Sequence, residues 1–202
     1  MKSIFSDQLS DFSSIHLNDV ELVSVSRPNF DSIEKLSLKF LETRESLNLR
    51  WIQNLETDNR LNDLSESIPS ILRSMLISQI DDSSKILCEH MGCCKVEVRL
   101  ATLRSPMCPL FHVDNITTRL LITLCGKGTE WIPESAVDWN IFTDRENTNL
   151  PLKNGSEIQE LKVGHWSLLK GGAWDDSFNG VVHRSPHTDD ARLLLSIDPV
   201  FE

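Results

Sequence analysis

The sequence of 202 residues has no long apolar run; its apolar stretches are only a few residues long. A helix needs about 20 predominantly apolar residues to cross a bilayer. The beginning of the chain, MKSIFSDQLSDF, contains acidic residues and lacks the apolar stretch of a secretory signal. These absences predict a soluble cytoplasmic protein with no membrane partner.

Positive charge is also scarce. The chain has 20 lysine and arginine residues against 30 aspartate and glutamate residues, which gives a formal net charge of -10. Such a chain repels phosphate backbones and anionic lipid surfaces at long range. Nucleic acid is therefore a disfavoured partner, a small molecule or a peptide is the expected substrate, and no feature of the sequence predicts an oligomeric state.

The five cysteines form no CxxC pair, and their number is odd. In a chain of this length, which can bury a sizeable core, that usage favours reduced cysteines over a disulfide framework or a zinc site built from thiolates. The apolar fraction of 40% and the charged fraction of 25% are those of an ordinary globular protein. We predict one domain over residues 1–202.

Helical spacing dominates the first half of the chain. Residues 1–30 are mixed and polar, apart from one strand-like run at 20–25, and we interpret them as a peripheral arm. Apolar residues then recur at three- and four-residue steps over 31–55, and again from Pro69, which suits a first helical turn, to Gly92, which suits a helix end. The sequence predicts a helical cover over 31–92.

After Gly92 the pattern changes to short runs of β-branched and aromatic residues separated by turn residues. Eight strands are predicted, near residues 95–103, 109–114, 117–125, 128–132, 156–162, 165–170, 179–183 and 190–198. Helices followed by strands favour an α+β fold. Eight short strands favour a double-stranded β-helix, a jelly-roll or cupin-like barrel, over 93–202, with the N-terminal helices packed on one sheet. The polar stretch 139–155 is predicted to be a surface loop or lid that contributes to substrate choice.

Two histidines and an aspartate have a spacing that suits a metal ion. His112 and Asp114 are two residues apart, so on a strand both side chains leave the same face. His183 follows an apolar run far enough along the chain for several strands to intervene. Together they would form a 2-His-1-carboxylate triad, which leaves three positions on iron(II) for a bidentate cosubstrate and oxygen. The alternative is a cupin-like protein that handles zinc or iron with the same three ligands.

Arg192 begins the last predicted strand, where an inward arginine needs a partner. A guanidinium pairs bidentately with a carboxylate, and the distal carboxylate of 2-oxoglutarate is a suitable one. The opposite end of 2-oxoglutarate would chelate the iron. The competing interpretation is a salt bridge from Arg192 to Asp189, Asp190 or a carboxylate on a neighbouring strand.

The HxD pair, the distant histidine and the following arginine together resemble the superfamily of iron(II)/2-oxoglutarate-dependent oxygenases. Residues 114–131 resemble the strand after HxD in its prolyl 4-hydroxylase-like members, and residues 163–169 resemble the turn and strand before their distal histidine. This resemblance covers roughly residues 107–200. It implies an oxygenase that hydroxylates or otherwise oxidises a C–H bond of an unknown substrate.

A more specific resemblance extends over most of the chain, to the uncharacterised bacterial family called domain of unknown function 1826. It is carried by FHVD at 111–114, RLL at 119–121, GTEWIP at 128–133, LLKG at 168–171, VHRSP at 182–186 and RLLL at 192–195. The resemblance indicates that these positions belong together and implies nothing about the substrate.

The sequence contains no tyrosine, although many members of the oxygenase superfamily use a tyrosine hydroxyl to help hold 2-oxoglutarate. Thr123, Ser196 or Arg119 would have to donate that hydrogen bond, and spacing does not choose between them. Ser196 is on the same strand face as Arg192 but roughly 13 Å along the strand, so the two are not expected on one carboxylate.

Two further residues are candidates for substrate binding. Arg119 either faces the cavity and binds substrate or closes an ion pair with Glu130. Trp131 either lines a substrate pocket or packs in the core, where large aromatic residues of a small barrel usually lie.

Overall fold

A computed structural model describes residues 1–28, 30–57, 64, 66–144 and 146–201. Its helices are α1 (Asp31–Glu42), α2 (Ser70–Met91) and α3 (Trp139–Thr143), with short 3-10 helices at Leu9–His16 and Glu134–Ala136. Its strands are β1 (Lys2–Ser6), β2 (Val20–Val25), β3 (Asn48–Asn54), β4 (Lys95–Leu103), β5 (Thr118–Cys125), β6 (Glu130–Ile132), β7 (Gln159–Glu160), β8 (Trp166–Lys170), β9 (Val182–Arg184) and β10 (Arg192–Val200).

The strands form a large sheet and a small one. The large sheet has seven strands in the order β1-β2-β8-β5-β10-β4-β3, and the small sheet has three in the order β7-β6-β9. β1 pairs with β2 in parallel, whereas the pairs from β2 across to β3 are antiparallel. The chain is therefore a mixed α+β protein organised around one large sheet, in which β10 lies between β5 and β4.

The helices cover one face of the large sheet. On β10 the side chains of Leu193, Leu195 and Ile197 are fully buried, in the same apolar cluster as Phe40 of α1 and Leu76 of α2. Since side chains alternate along a strand, every second residue of β10 points to the helices. The N-terminal helices thus pack on one sheet, as the sequence predicts.

The other face of the same strands carries polar residues. On β10 this face presents Arg192, Ser196 and Asp198. Across the ladders, Ser196 lies opposite Arg99 of β4 and Leu121 of β5. Residues of this face and residues of the small sheet line a common cavity, in which the candidate site lies.

The N-terminal segment does not form the predicted peripheral arm. Residues 20–25 are a strand, as predicted, but β2 is buried along its whole length and pairs with β8 inside the large sheet. A strand-like run does not reveal from its own sequence whether it joins the edge or the interior of a sheet. The pairing partner decides this, and here that partner is Trp166–Lys170, far along the chain.

The predicted helical cover over 31–92 is also interrupted. The helix that begins at Asp31 ends at Glu42, Arg44 has a φ of 62°, and residues 48–54 form β3 at the edge of the large sheet. The prediction failed because a four-residue step between apolar residues fits both the helical and the strand period. The second helix starts directly after Pro69 and ends at Gly92, whose left-handed φ of 66° allows the turn, as predicted.

Most of the later strands lie close to their predicted positions, with two exceptions. The predicted strand 109–114 contributes only an isolated bridge between His112 and His183, and within 156–162 only β7 is paired. The stretch 139–155 contains α3 and a bridge from Leu152 to Val137, while residue 145 lies outside the described residues. In the described part of the chain, no helix is long and apolar enough to span a membrane.

Candidate metal centre

The backbone brings His112, Asp114 and His183 together beside the small sheet. The backbone N–H of His112 donates to the carbonyl of His183 at 3.0 Å, and the N–H of His183 donates back at 2.9 Å. The carbonyl of Asp114 accepts a hydrogen bond from the N–H of Gly172 at 2.8 Å. These bonds fix two distant segments of the chain against each other, so the three side chains share one small volume.

The three side chains can each offer one ligand atom to the same ion. Those atoms all lie within 4.8 Å of one another. Nε2 of His183 is 3.3 Å from Oδ2 of Asp114, and Nε2 of His112 is 3.7 Å from Oδ1. Metal–ligand bonds of about 2.0–2.2 Å place neighbouring ligand atoms at similar separations. The residues therefore fit one transition-metal ion; their role as its ligands stays a prediction.

The histidine tautomers favour metal binding. Nδ1 of His112 lies 3.0 Å from the carbonyl of Leu110, and Nδ1 of His183 lies 3.0 Å from the carbonyl of Val181. Because a carbonyl only accepts, each Nδ1 carries a proton, and Nε2, which faces Asp114, is the atom that each ring would offer to a metal ion. A hydrogen bond of this kind also orients the ring of a metal-binding histidine.

The charges in the site give the protonation states that a metal ion requires. Burial alone would raise the pKa of Asp114, but hydrogen bonding to His183 and the charges of His183, Arg119 and His112 lower it to about 2. Burial lowers the pKa of His112, and the neighbouring His183 lowers it further. At neutral pH the site thus combines a carboxylate with a neutral imidazole at His112.

Arg119 joins the carboxylate of Asp114 to that of Asp198. Its Nη1 donates to Oδ2 of Asp114 at 2.7 Å, while its Nε and Nη2 donate to the two carboxylate oxygens of Asp198 at 2.7 and 2.6 Å. Burial would lower the pKa of Arg119, but Asp198 and Asp114 outweigh this and raise it. The ion pair with Glu130 that the sequence left open is not formed, since Glu130 pairs with other residues.

Arg192 is 2% exposed and begins β10. Its Nη2 donates to Thr129 at 3.0 Å and to Thr123 at 3.4 Å, but its Nε and Nη1 have no hydrogen-bond partner in the described part of the chain. The salt bridge to Asp189 or Asp190 is not formed. Burial lowers the pKa of Arg192 to about 10, which leaves it cationic at neutral pH. The charge of Glu160 acts against this effect but forms no ion pair with Arg192 in the described residues. A buried guanidinium without an ion-pair partner is a suitable place for an anion.

A cavity of about 250 Å³ contains these features. All three candidate ligands line it, together with Arg119 and Ser196. Arg192 does not line it, but Thr129, to which Arg192 donates, does. Trp131 does not line this cavity; it is 2% exposed and packs beside Phe5, 6.4 Å between ring centroids. Thr123 does not line the cavity either; it is buried next to Arg192, and its predicted role stays a prediction.

Sequence reasoning missed several residues of this cavity. They are charged residues of the large sheet that line the cavity, namely Arg50, Glu97, Arg99 and Asp198. Strand alternation places Asp198 on the same face as Arg192, so that residue was open to discovery from the sequence. Arg50, Glu97 and Arg99 come together through the pairing of β3 with β4. The sequence predicts a helix where β3 lies, so it could not predict this pairing.

Solved structures share the fold of the chain at low sequence identity. A prolyl-4-hydroxylase from Pseudomonas putida is 12% identical with a TM-score of 0.54, and the match covers 96% of this chain and 100% of that one. A dioxygenase for auxin oxidation from Arabidopsis thaliana, solved with 2-oxoglutarate, is 11% identical with a TM-score of 0.58 and covers 100% of this chain and 93% of that one. A dioxygenase for auxin oxidation from rice is 11% identical with a TM-score of 0.53, and the match covers 99% of this chain and 83% of that one.

At the level of sequence, the chain matches a family rather than an individual characterised protein. No curated protein matches it. The sequence profile of the family described as protein of unknown function DUF1826 matches residues 6–198, nearly the whole length. The chain belongs to the DUF1826 family.

Proposed function

We propose that this protein is an iron(II)- and 2-oxoglutarate-dependent oxygenase that acts on a small-molecule or peptide substrate. The observation that carries the proposal is the buried guanidinium of Arg192, whose Nε and Nη1 have no hydrogen-bond partner in the described residues. Its Nη2 donates to Thr129, which lines the same cavity as His112, Asp114 and His183. The alternative, a metal-binding protein without this cosubstrate, does not require such an arginine.

The free energy of an unpaired buried charge supports this assignment. Moving one ion out of water costs several kcal/mol even after the protein relaxes. The distal carboxylate of 2-oxoglutarate would offset that cost by accepting two hydrogen bonds from the guanidinium. The hydroxyls of Thr129 and Thr123 accept from Arg192 and each keep one proton to donate, so they can take the place of the missing tyrosine.

Each remaining residue of the site has a role in this proposal. His112, Asp114 and His183 would hold the iron, and Arg119 would keep the Asp114 carboxylate in place. Bound iron and 2-oxoglutarate supply the chemistry of oxygen activation, in which the cosubstrate is converted to succinate and carbon dioxide. The two-histidine, one-carboxylate donor set is typical of such iron sites; zinc would bind the same three residues in the alternative function.

We also propose that the two sheets are those of a double-stranded β-helix. With the bridge between His112 and His183 counted, the small sheet gains a fourth paired segment beside β9. The fold shared with the prolyl-4-hydroxylase and the auxin dioxygenases supports this topology. The large apolar cluster joins residues of the N-terminal half with β5 and β10, which supports a single domain over 1–202.

The test separates metal binding from cosubstrate binding. Purified protein is loaded with iron(II) without oxygen, titrated with 2-oxoglutarate, and then exposed to oxygen while succinate is measured. Arg192→Ala should retain the metal and lose 2-oxoglutarate binding, whereas His183→Ala should lose the metal. Lys39→Gln, which removes a positive charge from the exposed side of α1, should behave as wild type. Metal binding without 2-oxoglutarate binding in the wild type would support the alternative, a metal-handling protein.

A further inference from the structure

Two arginines lie side by side at the mouth of the metal cavity. Arg50 of β3 and Arg99 of β4 are directly paired across an antiparallel ladder, and both line the cavity. Residues paired in this way have Cβ atoms about 4.5–5.5 Å apart, and like charges there destabilise a sheet. This pair of like charges therefore calls for an explanation.

The carboxylates of the cavity do not neutralise both arginines. Glu97 is bound by Arg50, with Nη2 and Oε2 separated by 2.6 Å. Asp114 and Asp198 are both bound by Arg119. The negative charges that line the cavity are therefore already taken.

Arg99 is the exception among the four arginines that line the cavity. Arg184, like Arg50 and Arg119, has a carboxylate partner, with its Nε 2.8 Å from Glu130. Arg99 forms no ion pair within the described residues, and its contact is a long one of 3.4 Å to the side-chain oxygen of Asn48. A half-buried guanidinium in the cavity wall is thus left without a counter-charge.

Ser196 provides a hydroxyl on the strand position paired with Arg99. It lies directly opposite Arg99 in the β10–β4 ladder, lines the same cavity and makes no hydrogen bond through its hydroxyl to the described residues. It is four residues from Arg192, roughly 13 Å along the strand. An anion held at Arg99 would therefore be separate from the cosubstrate carboxylate at Arg192.

A second cavity meets the first at this position. It has a volume of about 280 Å³, is lined by the beginning of β3 and the end of β4, and shares Arg99 and Met107 with the metal cavity. Arg99 therefore lies where the two cavities adjoin.

We propose that the substrate carries an anionic group, a carboxylate or a phosphate, which Arg99 and Ser196 bind at the mouth of the cavity with Arg50 beside them. The inference rests on the proposed function, since that function makes the cavity a substrate site. The anion would place the rest of the substrate towards His112, Asp114 and His183.

The test uses two matched pairs of probes, benzoate with benzamide and phenyl phosphate with phenol. Their dissociation constants are measured by ligand-observed NMR at low ionic strength, on metal-free protein and on zinc-loaded protein saturated with 2-oxoglutarate. At least one anion should bind about tenfold more tightly than its neutral partner, the effect expected for a charge-assisted hydrogen bond. Whether benzoate or phenyl phosphate shows the larger preference decides between a carboxylate and a phosphate.

Two variants should change this preference in opposite directions. Arg99→Gln should reduce it to about twofold or less, because the unpaired charge is lost. Glu97→Gln should increase it, because Arg50 is freed and a negative charge is removed from the mouth. Lys39→Gln should leave it unchanged. A general loss of structure would weaken anion binding in both Arg99→Gln and Glu97→Gln, so it could not produce a smaller preference in the first and a larger one in the second.

The proposal is overturned if neither anion binds better than its neutral partner, or if Arg99→Gln keeps the full preference. These results are independent of the proposed function. Failure of metal or 2-oxoglutarate binding on the same samples would reject the oxygenase assignment, while the dependence of anion binding on Arg99 would still be measured on the metal-free protein.

Discussion

Replacing Arg119 by alanine should destabilise the metal-free protein substantially. The substitution removes three hydrogen bonds of 2.6–2.7 Å and leaves the carboxylates of Asp114 and Asp198 without their shared cation. Removing one partner of a buried ion pair costs about 3–5 kcal/mol. The side chains are 26%, 16% and 15% exposed, so solvent screens part of this effect and we expect the lower end, about 3 kcal/mol.

The measurement is the free energy of unfolding in urea, compared for the wild type and the variant at neutral pH. Arg50→Ala is the matched control, because it removes an arginine whose ion pair with Glu97 has similar length but is exposed. Pairs at the surface contribute little, so this control should unfold like the wild type. If Arg119→Ala lowers the free energy of unfolding by less than about 1 kcal/mol, or by as much as Arg50→Ala does, the reasoning is refuted. Loss of the buried partner would then cost no more than loss of an exposed one.

Three further substitutions test other contacts. Thr129→Val should weaken 2-oxoglutarate binding about tenfold by calorimetry and leave metal affinity unchanged, since the hydroxyl bound to Arg192 is lost. Gly171→Ala should lower the free energy of unfolding by about 1–3 kcal/mol, because its Cβ would lie 2.0 Å from the carbonyl oxygen of Ile116. Burial lowers the pKa of Lys170, so the destabilisation caused by this residue should diminish as pH rises towards 10.5. The buried thiols of Cys88 and Cys125 have raised pKa values and lower the stability of both proteins in the same range, so the measurement is the difference between them: the wild type should gain stability relative to Lys170→Met as pH rises in urea titrations.

The sequence predicted the local chemistry of the site better than its surroundings. The HxD spacing places His112 and Asp114 within reach of one ion, although they do not lie in a regular strand: a single bridge to His183 holds the segment in an extended form. The strand assumption therefore led to a useful prediction because it required only that two side chains leave the same side of an extended backbone.

Long-range pairing is what the sequence could not supply. The choice of Asp198 over Glu130 as the partner of Arg119 depends on the register of β5 against β10, in which Leu120 lies opposite Ile197. A local pattern contains no information about that register. The same limit applies to Thr129, whose contact with Arg192 joins the large sheet to the beginning of the small one.

The packing of β10 against the helices also determines which of its residues point to the cavity. From Arg192 to Asp198, every second residue of this strand points away from the helices, and Leu194, Ser196 and Asp198 line the cavity. The residues between them are buried against the helices. A shift of the strand by one residue would bury the charged residues under the helices and turn the apolar ones to the cavity. The free energy of burying the apolar face therefore holds the site in register, which explains how a cavity with an unpaired buried arginine can persist in a stable fold.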